Sequence, residues 1–222
     1  LVSEYLKKFP GIFDDYEKKM ILSYVKNNAF GFGLIPDLIR EVYDELGILE
    51  VDKNIYIGFI KMIDELFELK DKNVLEVGGG VLPRLGERIS QIQDKGTITV
   101  YDSRISEYKE GNTNLRLVRK KFDGRFSVKG IDLMIGLMPC KAAEVIVDVS
   151  VKNNIDFIVA LCEGGPHGDE YDYFEDDEEW RCSLITYTSR MVEDNKMGKV
   201  KIKYLREYGN PYPIIYNDRS SN

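Results

Sequence analysis

The sequence predicts an α/β protein: a mostly parallel sheet that closes with an antiparallel hairpin and is preceded by a helical segment. Three observations carry this expectation. From Val74 onward, short apolar runs of strand type alternate with stretches of helical spacing, the order that builds a parallel sheet covered by helices on both faces. Near the end, the two strand-like runs Lys199 to Leu205 and Tyr212 to Tyr216 are joined by Arg206 and Glu-Tyr-Gly-Asn-Pro. That link is too short for a crossover helix, so these two strands must be antiparallel neighbours. Residues 1 to 70, by contrast, contain only helical periodicities. The expected division is an N-terminal helical cap over 1–70 and a nucleotide-binding domain over 71–222.

The helical segment reads as three helices. Asp14 with Glu17 resembles a capping box ahead of Met20, Ile21, Tyr24 and Val25. Pro36 and Asp37 open a second helix, and Gly47 stops it. The third is predicted from about Asn54 to Leu69, with Phe59, Met62, Ile63, Leu66 and Phe67 inward. Between the first two, the loop carrying Phe30 and Phe32 reads as a connector, with a movable flap over a site as the alternative.

The centre of the chain is Asn73 to Arg88. Val74, Leu75 and Val77 make a buried strand, and Gly78, Gly79 and Gly80 follow at once. Leu82, Leu85, Ile89 and Ile92 then give a helix one apolar face. A strand, a glycine turn and a new helix place backbone N–H groups against a ligand. Glu76, just before the turn, would repel a pyrophosphate but accept hydrogen bonds from a cationic or hydroxyl-bearing ligand. Pro83 stands where the third glycine of the dinucleotide fingerprint belongs, so that match is poor.

The second strand, Thr97 to Tyr101, ends at Asp102, 22 positions after Gly80. There a carboxylate accepts hydrogen bonds from both hydroxyls of a ribose, as in any adenosine site, with a loop aspartate that merely starts the next helix as the alternative. The third strand spans Leu115 to Phe122 and leads to Asp123. Arg116, Arg119, Lys120, Lys121 and Arg125 make this the most basic patch of the chain. It is a solvated edge or an RNA contact. A fourth strand, Ile131 to Leu137, runs into Met138, Pro139 and Cys140. A helix with the polar stripe Lys141, Glu144, Asp148 and Lys152 follows, then a fifth strand, Ile155 to Leu161, and a helix near Glu178 to Val192.

Glu-Val-Gly-Gly-Gly, from Glu76 to Gly80, resembles the first motif of class I S-adenosylmethionine (SAM) methyltransferases. A Rossmann-like sheet closing with an antiparallel hairpin is also what those enzymes have and what dinucleotide domains lack. The resemblance covers about Lys70 to Asn217 and rests on the order of elements. It implies SAM as cofactor, with Glu76, Gly78, Gly79 and Gly80 at its methionine part. It further implies Asp102 at the ribose, Asp123 at the adenine with Phe122 packing on the ring, and Leu137 and Met138 beside SAM at the end of the fourth strand.

The resemblance implies methyl transfer to an unidentified acceptor, with RNA favoured slightly over a small molecule or a protein. The RNA hint comes from cysteines ending both the fourth and fifth strands, Cys140 and Cys162, as in some RNA-modifying members. The tetrapeptide Leu137 to Cys140 departs from the Asp/Asn-Pro-Pro-Tyr/Phe signature of amino-methylating enzymes. Cys140 and His167, the only histidine, are the candidates for catalysis, each matched by a bland alternative as a packed thiol or a loop histidine. Tyr171, Tyr173, Phe174 and Trp180, amid an acidic run, line an acceptor pocket, bind a basic partner or, as preferred, begin a solvated helix. Two other readings stay open: a dinucleotide enzyme on a similar sheet, and a non-catalytic SAM-binding or protein-interaction module.

Composition narrows the partners. A net charge of −7 argues against broad nucleic-acid binding. No apolar stretch is long enough for a membrane helix, and the first residues lack a signal-peptide core, so a cytoplasmic location is expected. Three cysteines without ligand spacing and one histidine predict reduced thiols and no metal site. Oligomeric state is not legible.

Overall fold

A computed structural model describes residues 54–80, 83–105, 113–162, 177–205 and 212–221, together with Lys18. The predicted helices before Asn54, the loop with Phe30 and Phe32, Leu82, His167, and Tyr171, Tyr173 and Phe174 lie outside the described residues.

The strands are β1 (Val74–Val77), β2 (Ile98–Asp102), β3 (Leu115–Arg119), β4 (Leu133–Leu137), β5 (Asp156–Ala160), β6 (Lys199–Leu205) and β7 (Tyr212–Asp218). They form one sheet in the order β3-β2-β1-β4-β5-β7-β6. The first five are parallel, and β7 runs antiparallel to both β5 and β6. The expected parallel sheet with an antiparallel closing hairpin is therefore present. The helices are α1 (Asn54–Phe67), α2 (Arg84–Ile92), α3 (Ala142–Lys152) and α4 (Asp177–Asp194).

Alternation along the central strands sorts side chains onto two faces. Leu75, Val77, Met134, Phe157, Val159 and Leu161 pack with α3 and α4, joined by Ile146, Val147 and Leu184. Val74, Leu133, Ile135, Ile158 and Ala160 pack with α1 and α2, joined by Phe59, Ile63, Leu85 and Ile89. Each fully buried aliphatic side chain contributes about 1.5–3 kcal/mol of transfer free energy, so both layers are held chiefly by apolar burial. Phe59 and Ile63 face inward as predicted, with Met62, Leu66 and Phe67 half-buried beside them. The last helix of the expected cap thus shares a core with the sheet.

Three elements differ from the sequence reading. On α2, Ile92 is exposed, and the buried face runs through Leu85, Gly86, Ile89, Ser90 and Gln93. The small residues Gly86 and Ser90 let the helix close on the sheet and turn Ile92 outward. β3 stops at Arg119 instead of Phe122, because the Lys120 N–H turns back to the Val118 carbonyl. Trp180 neither lines a pocket nor sits in solvent. It is buried in the α3–α4 layer, where its Nε1 donates to Glu144 Oε1 at 3.2 Å.

β7 is clipped to the start of β5 by a buried polar node. Asn217 Oδ1 accepts from the Phe157 N–H at 2.8 Å, and its Nδ2 donates to Asp156 Oδ1 at 2.8 Å. Arg219 pairs with the same aspartate and donates to the Asn154 carbonyl. Among the described residues, no helix is long and apolar enough to cross a membrane.

Candidate functional site

The strand order places β1 at the point where connections leave in opposite directions: to β2 and β3 on one side, to β4 and β5 on the other. In open parallel sheets, the crevice outside the carboxyl ends of the strands at such a switch receives the ligand. Gly78 to Gly80 lie there. Gly78 has φ 83° and Gly80 φ 75°, a left-handed conformation that costs other residues roughly 1–2 kcal/mol.

The turn is fastened to β2. The Gly78 N–H bonds the Tyr101 carbonyl at 2.8 Å, and the Gly80 N–H bonds Asp102 Oδ2 at 3.0 Å. The other oxygen of Asp102 accepts from the Arg104 N–H at 2.8 Å and pairs with the Arg104 Nε at 3.4 Å. A carboxylate offers about four lone-pair directions, so Asp102 Oδ2 retains acceptor capacity beside the turn. Sequence spacing therefore located two residues that do meet. Arg104 was not singled out, although a residue two positions after an aspartate is a common turn partner.

Opposite the glycines stands the turn after β4. Met138 and Cys140 both have positive φ, 52° and 47°, and strained backbone of this kind collects at functional sites. Pro139 between them is buried and packs on Gly78 so closely that a Cβ there would lie 3.0 Å from the Pro139 Cβ. Leu137 and Met138 are half-buried against the α1–α2 layer, and Cys140 is exposed. The meeting of Pro139 with Gly78 had no signature in the sequence.

Glu76 lies beneath the turn. Its even position in β1 sends it to the α2 face, where a Cβ on Gly86 would lie 2.9 Å from its Oε2. It is only 2% exposed, and Oε2 has no hydrogen-bond partner among the described residues. Burial, above all, pushes this carboxyl up to about 8; Asp102 and Glu87 push the same way, and the Gly86 N–H opposes them. At neutral pH the group is mostly protonated. A larger residue at 86 would meet both Glu76 and the Val100 side chain, 2.5 Å from a Cβ.

At the end of β3, Asp123 is exposed and accepts from the Arg125 N–H at 3.0 Å. Phe122 is buried in a ring cluster with Tyr101 and Phe126. Arg116, Arg119, Lys120 and Lys121 are exposed on this edge, and the Lys120 Nζ lies 4.6 Å from the Phe126 ring centroid. No cluster of metal-ligating side chains occurs among the described residues.

A mostly parallel sheet in this order, closed by an antiparallel hairpin and carrying a glycine turn at its switch point, defines a Rossmann-like methyltransferase fold. The solved antibiotic-resistance methyltransferase Kmr matches with a TM-score of 0.50 at 10% identity, over 71% of this chain and 91% of that one. The magnesium protoporphyrin IX methyltransferase ChlM of Synechocystis PCC 6803, solved with bound SAM, matches at 0.45 and 14% identity, over 92% and 96%. The 23S rRNA methyltransferase ErmE matches at 0.46 and 14% identity, over 73% and 68%. At these identities the likeness is one of fold. No protein-family profile matches the sequence, and no curated protein does.

Proposed function

We propose that this chain binds SAM at the turn after β1 and transfers its methyl group to an acceptor. The observation that carries the reading is the Asp102 carboxylate bonded to the Gly80 amide at the switch of the sheet. It joins the two residues that an adenosine ligand requires at one place. The residues fit the ligand: the Gly78–Gly80 turn presents backbone without side chains, and Asp102 keeps an acceptor for a ribose hydroxyl. Glu76, buried and mostly protonated, acts from below by fixing the turn against α2 and leaving the surface to the ligand's amino acid end. Leu137 and Met138 border the methyl-bearing end, and Asp123 the adenine.

Bound SAM supplies an already activated methyl on a sulfonium. The protein's task is then to align the acceptor and exclude water, with proton removal where the acceptor needs it. Cys140 is exposed at the end of β4, where an acceptor would arrive. For the acceptor we favour RNA, supported by the exposed cations Arg116, Arg119, Lys120 and Lys121 on the β3 edge.

Calorimetric titration with SAM, S-adenosylhomocysteine and NAD tests the reading. The two sulfur nucleosides should bind and NAD should not. Asp102→Ala should weaken binding about 10- to 100-fold, the loss of one or two hydrogen bonds to a charged acceptor at about 1.5–3 kcal/mol. Absence of binding by either sulfur nucleoside to the folded chain would sink the proposal. RNA binding, if present, should weaken steeply with salt and with Lys120→Glu.

A further inference from the structure

Cys140 and Cys162 end the adjacent strands β4 and β5, which run in register from Leu133 opposite Asp156 to Leu137 opposite Ala160. The Met138 N–H extends that ladder by bonding the Ala160 carbonyl at 2.9 Å, so the two strand ends stay about 4.8 Å apart. The thiols meet there. Cys162 hydrogen-bonds Cys140, and Cys140 also lies 3.7 Å from the Met138 carbonyl. Their environments are unequal: Cys140 is exposed and Cys162 buried. This contact first, and burial second, hold the Cys162 thiol protonated above its usual range. Cys182 is on the exposed side of α4, outside this pair.

We propose that Cys140 and Cys162 are a reversible dithiol–disulfide pair whose oxidation reshapes the turn after β4 and weakens ligand binding at the glycine turn. The binding half rests on the reading of Gly78–Gly80 as a nucleoside site.

The chemistry requires a small-molecule disulfide as oxidant, such as oxidised glutathione. The exposed Cys140 thiolate attacks one of its sulfurs, the S–S bond breaks, and one glutathione thiolate leaves. Cys162, losing its proton to solvent, then attacks the Cys140 sulfur and expels the second glutathione thiolate. Two S–H groups are lost, one S–S bond forms, and the oxidant ends as two thiols. The consequence for the site follows from Pro139, which connects Cys140 to Gly78 by direct packing. Drawing Cys140 onto Cys162 repositions a turn whose Met138 and Cys140 already have positive φ.

The full chain is equilibrated in glutathione buffers from reduced to oxidised, alkylated and digested, and its peptides are identified by mass spectrometry. A peptide linking Cys140 to Cys162 should appear, be reversed by dithiothreitol, persist in Cys182→Ser and be absent from Cys140→Ser. Oxidation should change hydrogen exchange at the Gly78–Gly80 amides and lower S-adenosylhomocysteine affinity at least 10-fold, with no such response in Cys162→Ser. Glutathione retained on Cys140 without the internal link would overturn the proposal. So would a complete link with unchanged exchange at the glycines. A reduced chain that binds no nucleoside but shows the link and the exchange change would refute the SAM reading and leave the dithiol intact.

Discussion

Replacing Glu76 by glutamine should flatten the pH dependence of folding. In the folded chain, burial raises this carboxyl from 4.5 to about 8; in the unfolded chain it titrates near its ordinary value. Below pH 4.5 both states hold the proton, and the contribution to stability is fully present. As pH rises toward 8, the unfolded chain releases the proton while the folded chain keeps it, so stability is lost steadily. Above about 8 both are ionised and the loss stops growing. The interval of about 3.5 pH units, at about 1.36 kcal/mol each, is on the order of 5 kcal/mol, with about 3 kcal/mol already lost at pH 7. Glu76→Gln removes the titration. Its carbonyl oxygen keeps the Gly86 N–H as donor, but its N–H₂ is then buried without an acceptor, at a cost of about 1–3 kcal/mol. The variant should therefore be less stable than the parent at pH 5 and more stable at pH 9. Urea denaturation followed by circular dichroism at pH 5, 7 and 9 measures both curves. Parallel curves would refute the assignment of Glu76 as a buried, mostly protonated carboxyl.

Gly78→Ala should cost about 1–2 kcal/mol from its left-handed backbone, and the new methyl should press on Pro139, so nucleoside affinity should fall at least 10-fold in the same calorimetric assay. Asn217→Ala strands the buried Phe157 N–H and removes the side-chain clip that supplements the β5–β7 ladder. A loss of about 2–4 kcal/mol in urea denaturation is expected, with nucleoside affinity of the folded fraction unchanged because Asn217 lies at the opposite end of β5 from the site.

The order of elements was legible because each strand and helix announces itself locally. Val74 to Val77 is a short apolar run, α3 carries a polar stripe, and a six-residue link is too short for a crossover helix. Asp102 was legible from its distance to the glycines, since both ends of that contact are fixed by the fold class. What escaped is what depends on neighbours distant in sequence. The rotation of α2 came from Gly86 fitting against Val100, the burial of Trp180 from Glu144 offering its indole an acceptor, and the closeness of Pro139 to Gly78 from two strands meeting at the switch. Glu76 was legible as unusual but not as buried, because parity in a four-residue strand does not say which face is covered by a glycine-bearing helix.

The crevice has two walls, the turns after the paired strands β1 and β4; the ladder between those strands ends at Glu76 and Ile135, and beyond it each turn is bonded outward. The turn after β1 is bonded to β2 through Gly78 with Tyr101 and Gly80 with Asp102. The turn after β4 is bonded to β5 through Met138 with Ala160 and through the two thiols. Between the walls, the described contact is van der Waals packing of Pro139 on Gly78. Hydrogen bonds hold a geometry directionally, whereas a packing contact responds only when a wall shifts far enough to tighten or open it, as the disulfide would and a single side-chain substitution would not. Perturbing the β1 wall by Asp102→Asn and the β4 wall by Cys162→Ser should thus change nucleoside affinity independently, adding within about 0.5 kcal/mol as for sites without shared partners. Introducing Gly78→Ala as the background should create coupling, because the added methyl makes the two walls press on each other. A triple-variant cycle in the calorimeter reads this directly. Strong coupling between Asp102→Asn and Cys162→Ser with Gly78 intact would show that the walls move as one body, and the separation argued from their hydrogen bonds would fall.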